Sequence, residues 1–229
     1  MKVYIVRHGQ TLFNYLERVQ GWSDSPLTAL GVKQGQTVAK YLSDVQFDQV
    51  YSSDAKRAID TANFIIDKQA TPVTIQTTPL LREAYFGGFE GGTNDAAWAS
   101  VVEKFGYDKN LILTDFDYVR KDLAGKISNE DFRNTIAEKD PLQLAENFEQ
   151  FSNRIQKFID DVLVNNEAEN VLLVNHGGTV QRLIELLLAD ETGYSETNNS
   201  STTIIEINLD GNKMVDFNNI SYFEEDDIS

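Results

Sequence analysis

The chain of 229 residues is 41% hydrophobic and carries 36 acidic against 20 basic residues, for a net charge of −16. This length fits one domain, with or without an insert. The negative charge argues against nucleic acid or an anionic membrane as a partner, because both require a basic surface. There is no cysteine, which excludes disulfides, a thiolate nucleophile and a cysteine-based metal site.

The start of the chain bears on its location. The first residues lead directly into an apolar strand at residues 2–6, without the basic and apolar leader of a secretion signal. No apolar run approaches the ~20 residues that a membrane-spanning helix needs. We therefore expect a cytoplasmic protein that has no membrane partner.

Six short segments are candidate β-strands, at residues 2–6, 49–52, 73–76, 171–175, 203–208 and 214–217. The segments between them have helical patterns, at about residues 29–43, 55–67, 144–165 and 179–188. Thr28 is the predicted N-cap of the first helix. Strands that alternate with helices are typical of an α/β fold, so we predict a three-layer α/β/α sandwich with a mostly parallel central sheet.

One stretch, about residues 92–141, interrupts this alternation. It is polar and charged, with weak helical pieces. Its scattered aromatic residues are Trp98, Phe105, Tyr107, Phe116 and Tyr118. We predict a small, mainly helical cap insert that folds over the strand ends within a single domain spanning residues 1–229. The acidic end, about residues 222–229, is predicted to be a frayed, solvated tail.

Both histidines of the chain lie where an apolar strand gives way to glycine. His8 lies in the segment 3–11 and His176 in the segment 171–178, each directly before a glycine. In open α/β sheets, ligands bind beyond the carboxyl ends of such strands. A single histidine in a loop is most often a polar residue without a catalytic role. The placement of both at matched strand ends, one of them beside Arg7, predicts a shared anion site.

Phosphoryl transfer to an imidazole needs a neutral ring nitrogen, cationic donors for the phosphoryl oxygens, and an acid for the leaving oxygen. Arg7 and His8 supply a guanidinium and a candidate nucleophile. His176 can supply a second donor when it is protonated, and Arg57 is expected one turn into the helix after the second strand. The candidate acid is Glu83, since desolvation among aromatic residues and glycines would raise its pKa.

These residues resemble, in chain order, the motifs of the histidine phosphatase superfamily, also called phosphoglycerate mutase-like. The resemblance extends from residue 3 to about residue 188. The matching residues are Arg7-His8-Gly9-Gln10-Thr11, Asn14, Arg18, Gln20-Gly21, Asp24, Pro26-Leu27-Thr28, Gly31, Ser52-Ser53, Arg57-Ala58, Thr61-Ala62, Leu81-Arg82-Glu83 and His176-Gly177-Gly178.

The resemblance implies a role for each site residue. His8 is the nucleophile that forms a phosphohistidine, and Glu83 is the proton donor that later activates water. The residues that bind the phosphoryl group or line its pocket are Arg7, Asn14, Gln20, Gly21, Arg57, His176 and Gly177. The resemblance implies no metal and no cofactor, since the arginine and histidine charges take the electrostatic role of a cation.

Two details indicate which branch of this family the chain resembles: they argue against the acid phosphatase branch and favour the phosphatase members over the mutases. Gly177 stands where the acid phosphatase branch carries an aspartate, so the acid should come from Glu83. Gly178 stands where the mutases usually have asparagine. Gln181 and Asn175 depart from the residues that are frequent in phosphatases, and both bear on the substrate.

We therefore predict a phosphomonoester phosphatase that acts on an unidentified small phosphorylated metabolite. A cofactor-dependent phosphoglycerate mutase is the first alternative. A catalytically silent phospholigand-binding module is the second, and an α/β protein with another activity is the third. The choice between a monomer and a homodimer stays open.

Overall fold

The computed structural model describes residues 1–108, 126–164, 166–189 and 197–224. Parts of the predictions fall outside these residues, namely Phe116, Tyr118, residue 165 of the predicted long helix, and residues 225–229 of the predicted tail.

The strands are β1 (Lys2–Arg7), β2 (Gln49–Ser53), β3 (Ile75–Thr78), β4 (Asn170–Asn175), β5 (Thr202–Glu206) and β6 (Lys213–Asn219). The α-helices are α1 (Leu12–Tyr15), α2 (Ala29–Tyr41), α3 (Lys56–Ile66), α4 (Asn94–Lys104), α5 (Asn129–Lys139), α6 (Phe148–Phe158) and α7 (Gly177–Leu188). A π-helical turn over Ile159–Leu163 follows α6, and 3₁₀ turns lie at Pro79–Leu81 and Gly87–Phe89.

The described strands form one six-stranded sheet in the order β3-β2-β4-β1-β5-β6. The neighbours β3, β2, β4 and β1 are parallel, whereas β5 runs antiparallel to both β1 and β6. All strands except β5 therefore point the same way, as predicted for a mostly parallel sheet. Arg7 is paired with Asn175, so β1 and β4 end side by side at the centre of the sheet.

Helices cover both faces of this sheet. On one face, Val38 of α2 and Ala62 of α3 pack in an apolar cluster with Val6 and Leu172. The alternating residues of β1 and β4 are buried as well, with Ile5 at 1% exposure. On their face of the sheet, Tyr51 meets the edge of Phe158 from α6, with ring centroids 5.6 Å apart. The fold is an α/β sandwich of three layers, as the sequence predicted.

Local hydrogen bonds decide where two helices begin. Thr28 caps α2 as predicted, because its hydroxyl accepts from the amide of Gly31 at 3.0 Å. The helix predicted from residue 144 begins instead at Phe148, because the Asp140 carboxylate accepts a hydrogen bond from the amide of Leu144 at 2.6 Å. Asn147 and Gln150 then exchange side-chain to backbone hydrogen bonds at 2.8 and 3.0 Å, which is the capping-box arrangement.

The edge strand β3 also begins later than predicted, at Ile75 in place of residue 73, since its pairing with β2 starts at Val50↔Ile75.

The chain divides into two compact units. The first comprises Met1–Leu12, Asp24–Glu83 and Arg154–Ser229, and it contains the sheet. The second comprises Phe13–Ser23 and Ala84–Asn153, and it includes the described part of the predicted insert.

The second unit has an apolar cluster of its own. Val101 of α4 and Ile136 of α5 are buried in it together with Val19 and Ala97. The function of this unit as a cap stays a prediction.

No helix in the described part of the chain is both long enough and apolar enough to cross a membrane.

Candidate active site

His8 follows β1 directly and is only 4% exposed. Its amide donates to the carbonyl of Asn175 at 2.9 Å, and its own carbonyl accepts from Nδ2 of Asn199 at 2.9 Å. Nδ1 of its ring lies 2.8 Å from the carbonyl oxygen of Gly9. Because a carbonyl oxygen only accepts, Nδ1 carries the hydrogen and Nε2 keeps the lone pair that a nucleophile needs.

The loop after His8 packs closely against the beginning of α2. A Cβ on Gly9 would lie 2.4 Å from the oxygen of Gly31, and one on Gly31 would lie 2.0 Å from the oxygen of Gln10. Only glycine permits this approach of two backbones. The amide of Gly9 also donates to the hydroxyl of Thr61 at 3.1 Å, which fastens the loop to α3. These residues of the sequence motifs therefore hold the backbone that carries His8.

His176 caps the beginning of α7 and is 1% exposed. Its ring centroid lies 5.2 Å from that of His8, with 63° between the ring planes. Its Nε2 lies 2.8 Å from the hydroxyl oxygen of Ser53, the last residue of β2. The structure thus brings together two imidazoles that the sequence separates by more than half of the chain.

Arg7 lies at the same end of the sheet as the two histidines. Its Nη1 donates to the carbonyl of Thr197. A Cβ placed on Gly177 would lie 3.6 Å from the Cζ atom of Arg7, so the guanidinium lies beside the first residue of α7.

Arg57 is completely buried although it is an arginine, with 0% side-chain exposure. It is the second residue of α3, so the expectation that it lies one turn into the helix is wrong; α3 begins only at Lys56. Its Nη1 donates to Oδ1 of Asp24 at 3.0 Å, and Oδ2 of Asp24 accepts from the amide of Lys56 at 2.6 Å. The Lys56 side chain is 78% exposed.

Both histidines are held neutral. Burial, followed by the positive charges of Arg57 and Arg7, keeps the pKa of His8 well below its ordinary value. Burial is also the largest cause for His176, followed by Arg57, His8 and Arg7, and its pKa is lowered in the same direction. We therefore correct the expectation that His176 donates from a protonated ring, because desolvation and two guanidiniums oppose its protonation.

Glu83 is 8% exposed and follows the 3₁₀ turn Pro79–Leu81. Its Oε2 accepts from the amide of Gly178 at 2.8 Å, in the first turn of α7 and two residues beyond His176. The carboxyl group of Glu83 is therefore buried, as expected, and contacts the first turn of α7. The assignment of Glu83 as the acid stays a prediction.

Three residues that the resemblance assigned to the pocket, Asn14, Gln20 and Gly21, belong to the second unit. Gly21 has a structural requirement of its own, because a Cβ there would lie 2.1 Å from the oxygen of Ala84. Its amide donates to Oε2 of Glu90 at 3.1 Å. The contact of these three residues with a ligand stays a prediction.

Sequence reasoning gave no role to three residues that hold the site residues in place. Asp24 binds the guanidinium of α3, and Ser53 binds the imidazole at the start of α7. Arg154 donates from its guanidinium to carbonyl oxygens of the segment 79–83, including that of Glu83 at 3.0 Å. Asp24 and Ser53 lay within matched motifs, so a signal existed for both. Arg154 stood on the polar side of a helix, where nothing distinguished it.

Two buried polar groups at this end of β4 lack protein partners. Asn175 is 0% exposed, and among the described residues neither its Oδ1 nor its Nδ2 has a hydrogen-bond partner. The same holds for Nδ1 of His176 within the described ranges. Buried groups of this kind are rare in native proteins, and each calls for an explanation.

Comparison with known proteins shows the family of the chain. The family model of the histidine phosphatase superfamily (branch 1) matches residues 3–111 and 117–220. A relative from Hydrogenobacter thermophilus named "Putative phosphoserine phosphatase 2" is 31% identical over 219 residues, covering 93% of this chain and 91% of the relative. A "Probable phosphoglycerate mutase GpmB" from Proteus mirabilis is 32% identical over 194 residues, covering 82% and 75%.

A crystal structure of phosphoglycerate mutase from Bacillus anthracis superposes with a TM-score of 0.82 at 33% identity, covering 97% of this chain and 94% of that one. The α/β sandwich is that of the phosphoglycerate mutase-like class. The chain belongs to the histidine phosphatase superfamily, branch 1.

Proposed function

We propose that this chain is a phosphomonoester phosphatase that works through a phosphohistidine on His8 and acts on a small phosphorylated metabolite. The observation that carries the proposal is the state of the His8 ring. It is buried and neutral, its Nδ1 hydrogen is engaged by Gly9 at 2.8 Å, and its Nε2 keeps a lone pair. An imidazole in this state is ready to attack phosphorus without first losing a proton.

The reaction has two balanced steps. In the first, Nε2 of His8 bonds to phosphorus as the P–O bond to the leaving alcohol breaks, and Glu83 gives its proton to the departing oxygen. In the second, Glu83 takes a proton from water, the water oxygen bonds to phosphorus, and the P–N bond breaks. Phosphate leaves, and His8 and Glu83 return to their starting states.

The guanidiniums of Arg7 and Arg57 hold the phosphoryl oxygens through both steps. An arginine stays charged at every physiological pH, so these two residues can supply the stabilisation that Mg²⁺ gives in other phosphoryl-transfer enzymes. We expect the enzyme to need no metal, and treatment with EDTA to leave its rate unchanged.

Hydrolysis of an aryl phosphate by the purified protein tests the proposal. The His8→Gln variant should lose several orders of magnitude in kcat, because a covalent nucleophile has been removed. Rapid quenching should trap a phosphoenzyme that is labile to acid and stable to alkali in the wild type and absent in the variant. Equal rates for the two proteins would refute the assignment.

Two variants on α3 give a matched control. Arg57→Ala removes a buried guanidinium and should lower kcat/KM by about 10²-fold or more. Lys56→Ala removes the neighbouring cation, which is 78% exposed, and should leave the rate unchanged. Binding of phosphate esters without turnover or phosphoenzyme would identify a catalytically silent binding module instead.

A second candidate function, cofactor-dependent phosphoglycerate mutase, is supported by the names of relatives at 32% and 33% identity. Such an enzyme returns the phosphoryl group from His8 to a rebound intermediate instead of to water. The test follows 3-phosphoglycerate with and without 2,3-bisphosphoglycerate. Isomerisation much faster than phosphate release would favour the mutase, and phosphate release without isomerisation would favour the phosphatase.

A further inference from the structure

The hydroxyl of Ser53 has two neighbours that together decide the direction of its hydrogen bonds. The backbone amide of Ala55 donates to its oxygen at 3.3 Å, and Nε2 of His176 lies 2.8 Å away. Ser53 and His176 are both buried, at 0% and 1% exposure. A serine hydroxyl has one hydrogen to give and two lone pairs to accept with.

Only one tautomer of His176 satisfies both contacts and uses the hydroxyl hydrogen. If Nε2 of His176 carried the ring hydrogen, the Ser53 oxygen would accept from two N–H groups and its own hydrogen would need a further acceptor. If Nε2 carries the lone pair, the hydroxyl accepts from Ala55 and donates to the ring. In the second arrangement, the Ala55 amide, the Ser53 hydroxyl and Nε2 of His176 all have a partner.

This choice determines what the rest of the ring offers. With Nε2 as acceptor, the single hydrogen of the neutral ring lies on Nδ1. Across the part of the chain that the structure describes, Nδ1 of His176 is buried without a hydrogen-bond partner. The ring lies 5.2 Å from that of His8, the proposed site of phosphorylation. An N–H in this position has a natural acceptor in an oxygen of a phosphoryl group.

We propose that Ser53 is a positioning residue that fixes the tautomer of His176, so that the neutral ring presents Nδ1–H to the phosphoryl group. The inference rests on the proposed function, which makes His176 a phosphoryl ligand. It explains how His176 donates without being protonated. It also means that this donation persists as the pH rises through the ordinary pKa of histidine, where an imidazolium would lose its charge.

Nitrogen NMR of the wild-type protein labelled with ¹⁵N at histidine tests the tautomer directly. The chain has two histidines, so the His8→Gln variant assigns both sets of signals. We expect the resonance of His176 Nδ1 to be that of a protonated nitrogen and Nε2 that of an unprotonated one. The reverse pattern would overturn the proposal, whatever the activity of the protein.

Variants then connect the tautomer to phosphoryl binding. Ser53→Ala should shift the His176 signals toward the other tautomer. It should also weaken competitive inhibition by inorganic phosphate by about three- to tenfold, which corresponds to the net free energy of one neutral hydrogen bond. Ser53→Thr retains the hydroxyl and should restore both readouts. Ser52→Ala is the matched control, because Ser52 is equally buried and its hydroxyl donates only to the backbone carbonyl of Ser53 at 2.8 Å.

The outcomes separate this inference from the proposed function. A protein that shows the Nδ1–H tautomer but no phosphoenzyme would refute the phosphatase and leave the tautomer assignment standing. A phosphoenzyme combined with unchanged His176 signals in Ser53→Ala would refute the positioning role alone. An unchanged affinity for phosphate in Ser53→Ala, with altered signals, would refute donation from Nδ1 to the phosphoryl group.

Discussion

Acidification should destabilise this protein through its two histidines at pH values where carboxylates still do not titrate. Burial and the guanidiniums of Arg57 and Arg7 lower the pKa of His8 and of His176 in the fold. In the unfolded chain both return to the ordinary value of about 6.5. The unfolded state therefore binds more protons below that pH, so the free energy of unfolding falls as the pH falls.

The magnitude follows from the difference in proton binding. Between roughly pH 7.5 and pH 5.5, a histidine that is protonated only when unfolded lowers the free energy of unfolding by about 1.4 kcal/mol, so two lower it by about 2.7 kcal/mol. Above the ordinary pKa of histidine this contribution disappears. The calculation applies because both folded pKa values lie well below 6.5.

Urea denaturation followed by circular dichroism at several pH values measures this effect. The wild type is compared with the double variant His8→Gln/His176→Gln, which lacks every histidine of the chain. All other titrating groups are common to both proteins, so the difference between their pH dependences belongs to the two rings. Each single variant should retain half of the effect. Identical pH dependences for the wild type and the double variant would refute the neutral state.

Three further substitutions test the groups that support the site. Asp24→Asn leaves a buried guanidinium without its carboxylate and should lower the free energy of unfolding by about 2 kcal/mol, less than for a fully buried pair because the Asp24 side chain is 31% exposed. Arg154→Lys cannot reach the carbonyl oxygens that the planar guanidinium holds, and it should lower kcat about tenfold with little change in KM, because the backbone of Glu83 loses its fixed position. Asn175→Ala removes a buried amide that has no protein partners in the described residues, and it should stabilise the fold by about 1 kcal/mol. This gain is the desolvation cost of the Asn175 amide that is no longer incurred, reduced by the cost of the cavity that the shorter side chain leaves.

Each of these predictions has its own control and its own contrary result. Asp60→Asn breaks the pair with Lys56, whose side chain is 78% exposed where that of Arg57 is buried, and should change stability by less than about 0.5 kcal/mol. An equal loss in both aspartate variants would contradict the first prediction. Substitution of the exposed Lys157 on the same helix is the control for Arg154→Lys. A change in Arg154→Lys that is confined to KM would contradict a positioning role for Arg154. A destabilised Asn175→Ala variant, measured by urea denaturation, would show that the amide is satisfied by water.

The place of the two histidines could be predicted from the sequence because it depends on local patterns. Continuous apolar runs mark β1 and β4, and both strands lie within one residue of the predicted bounds. Because β1 and β4 are parallel neighbours, the residues that follow them, His8 and His176, must lie at the same end of the sheet. Neither inference requires knowledge of any side-chain contact.

The protonation state of these histidines could not be predicted in the same way. It depends on how fully each ring is buried and on how close two guanidiniums approach, and those quantities arise only when β1, α3 and the start of α7 are packed together. From the sequence, His176 could supply a second donor for the phosphoryl group only when its ring is protonated. Burial is the largest cause that lowers the pKa of His176, and the positive charges of the neighbouring guanidiniums lower it further, so both oppose that state.

The two arginines at this site therefore have opposite effects on substrate and enzyme. Arg7 and Arg57 attract an anion, and the same positive charge lowers the pKa of the imidazoles beside them. If the imidazoles supplied the positive charge, His8 would be protonated and could not attack phosphorus. Because the charge resides on guanidiniums, which do not lose their protons, the site can be cationic while His8, the proposed nucleophile, is neutral. Arg57, fully buried and paired with Asp24, thus supplies positive charge next to the histidines in a chain whose net charge is −16.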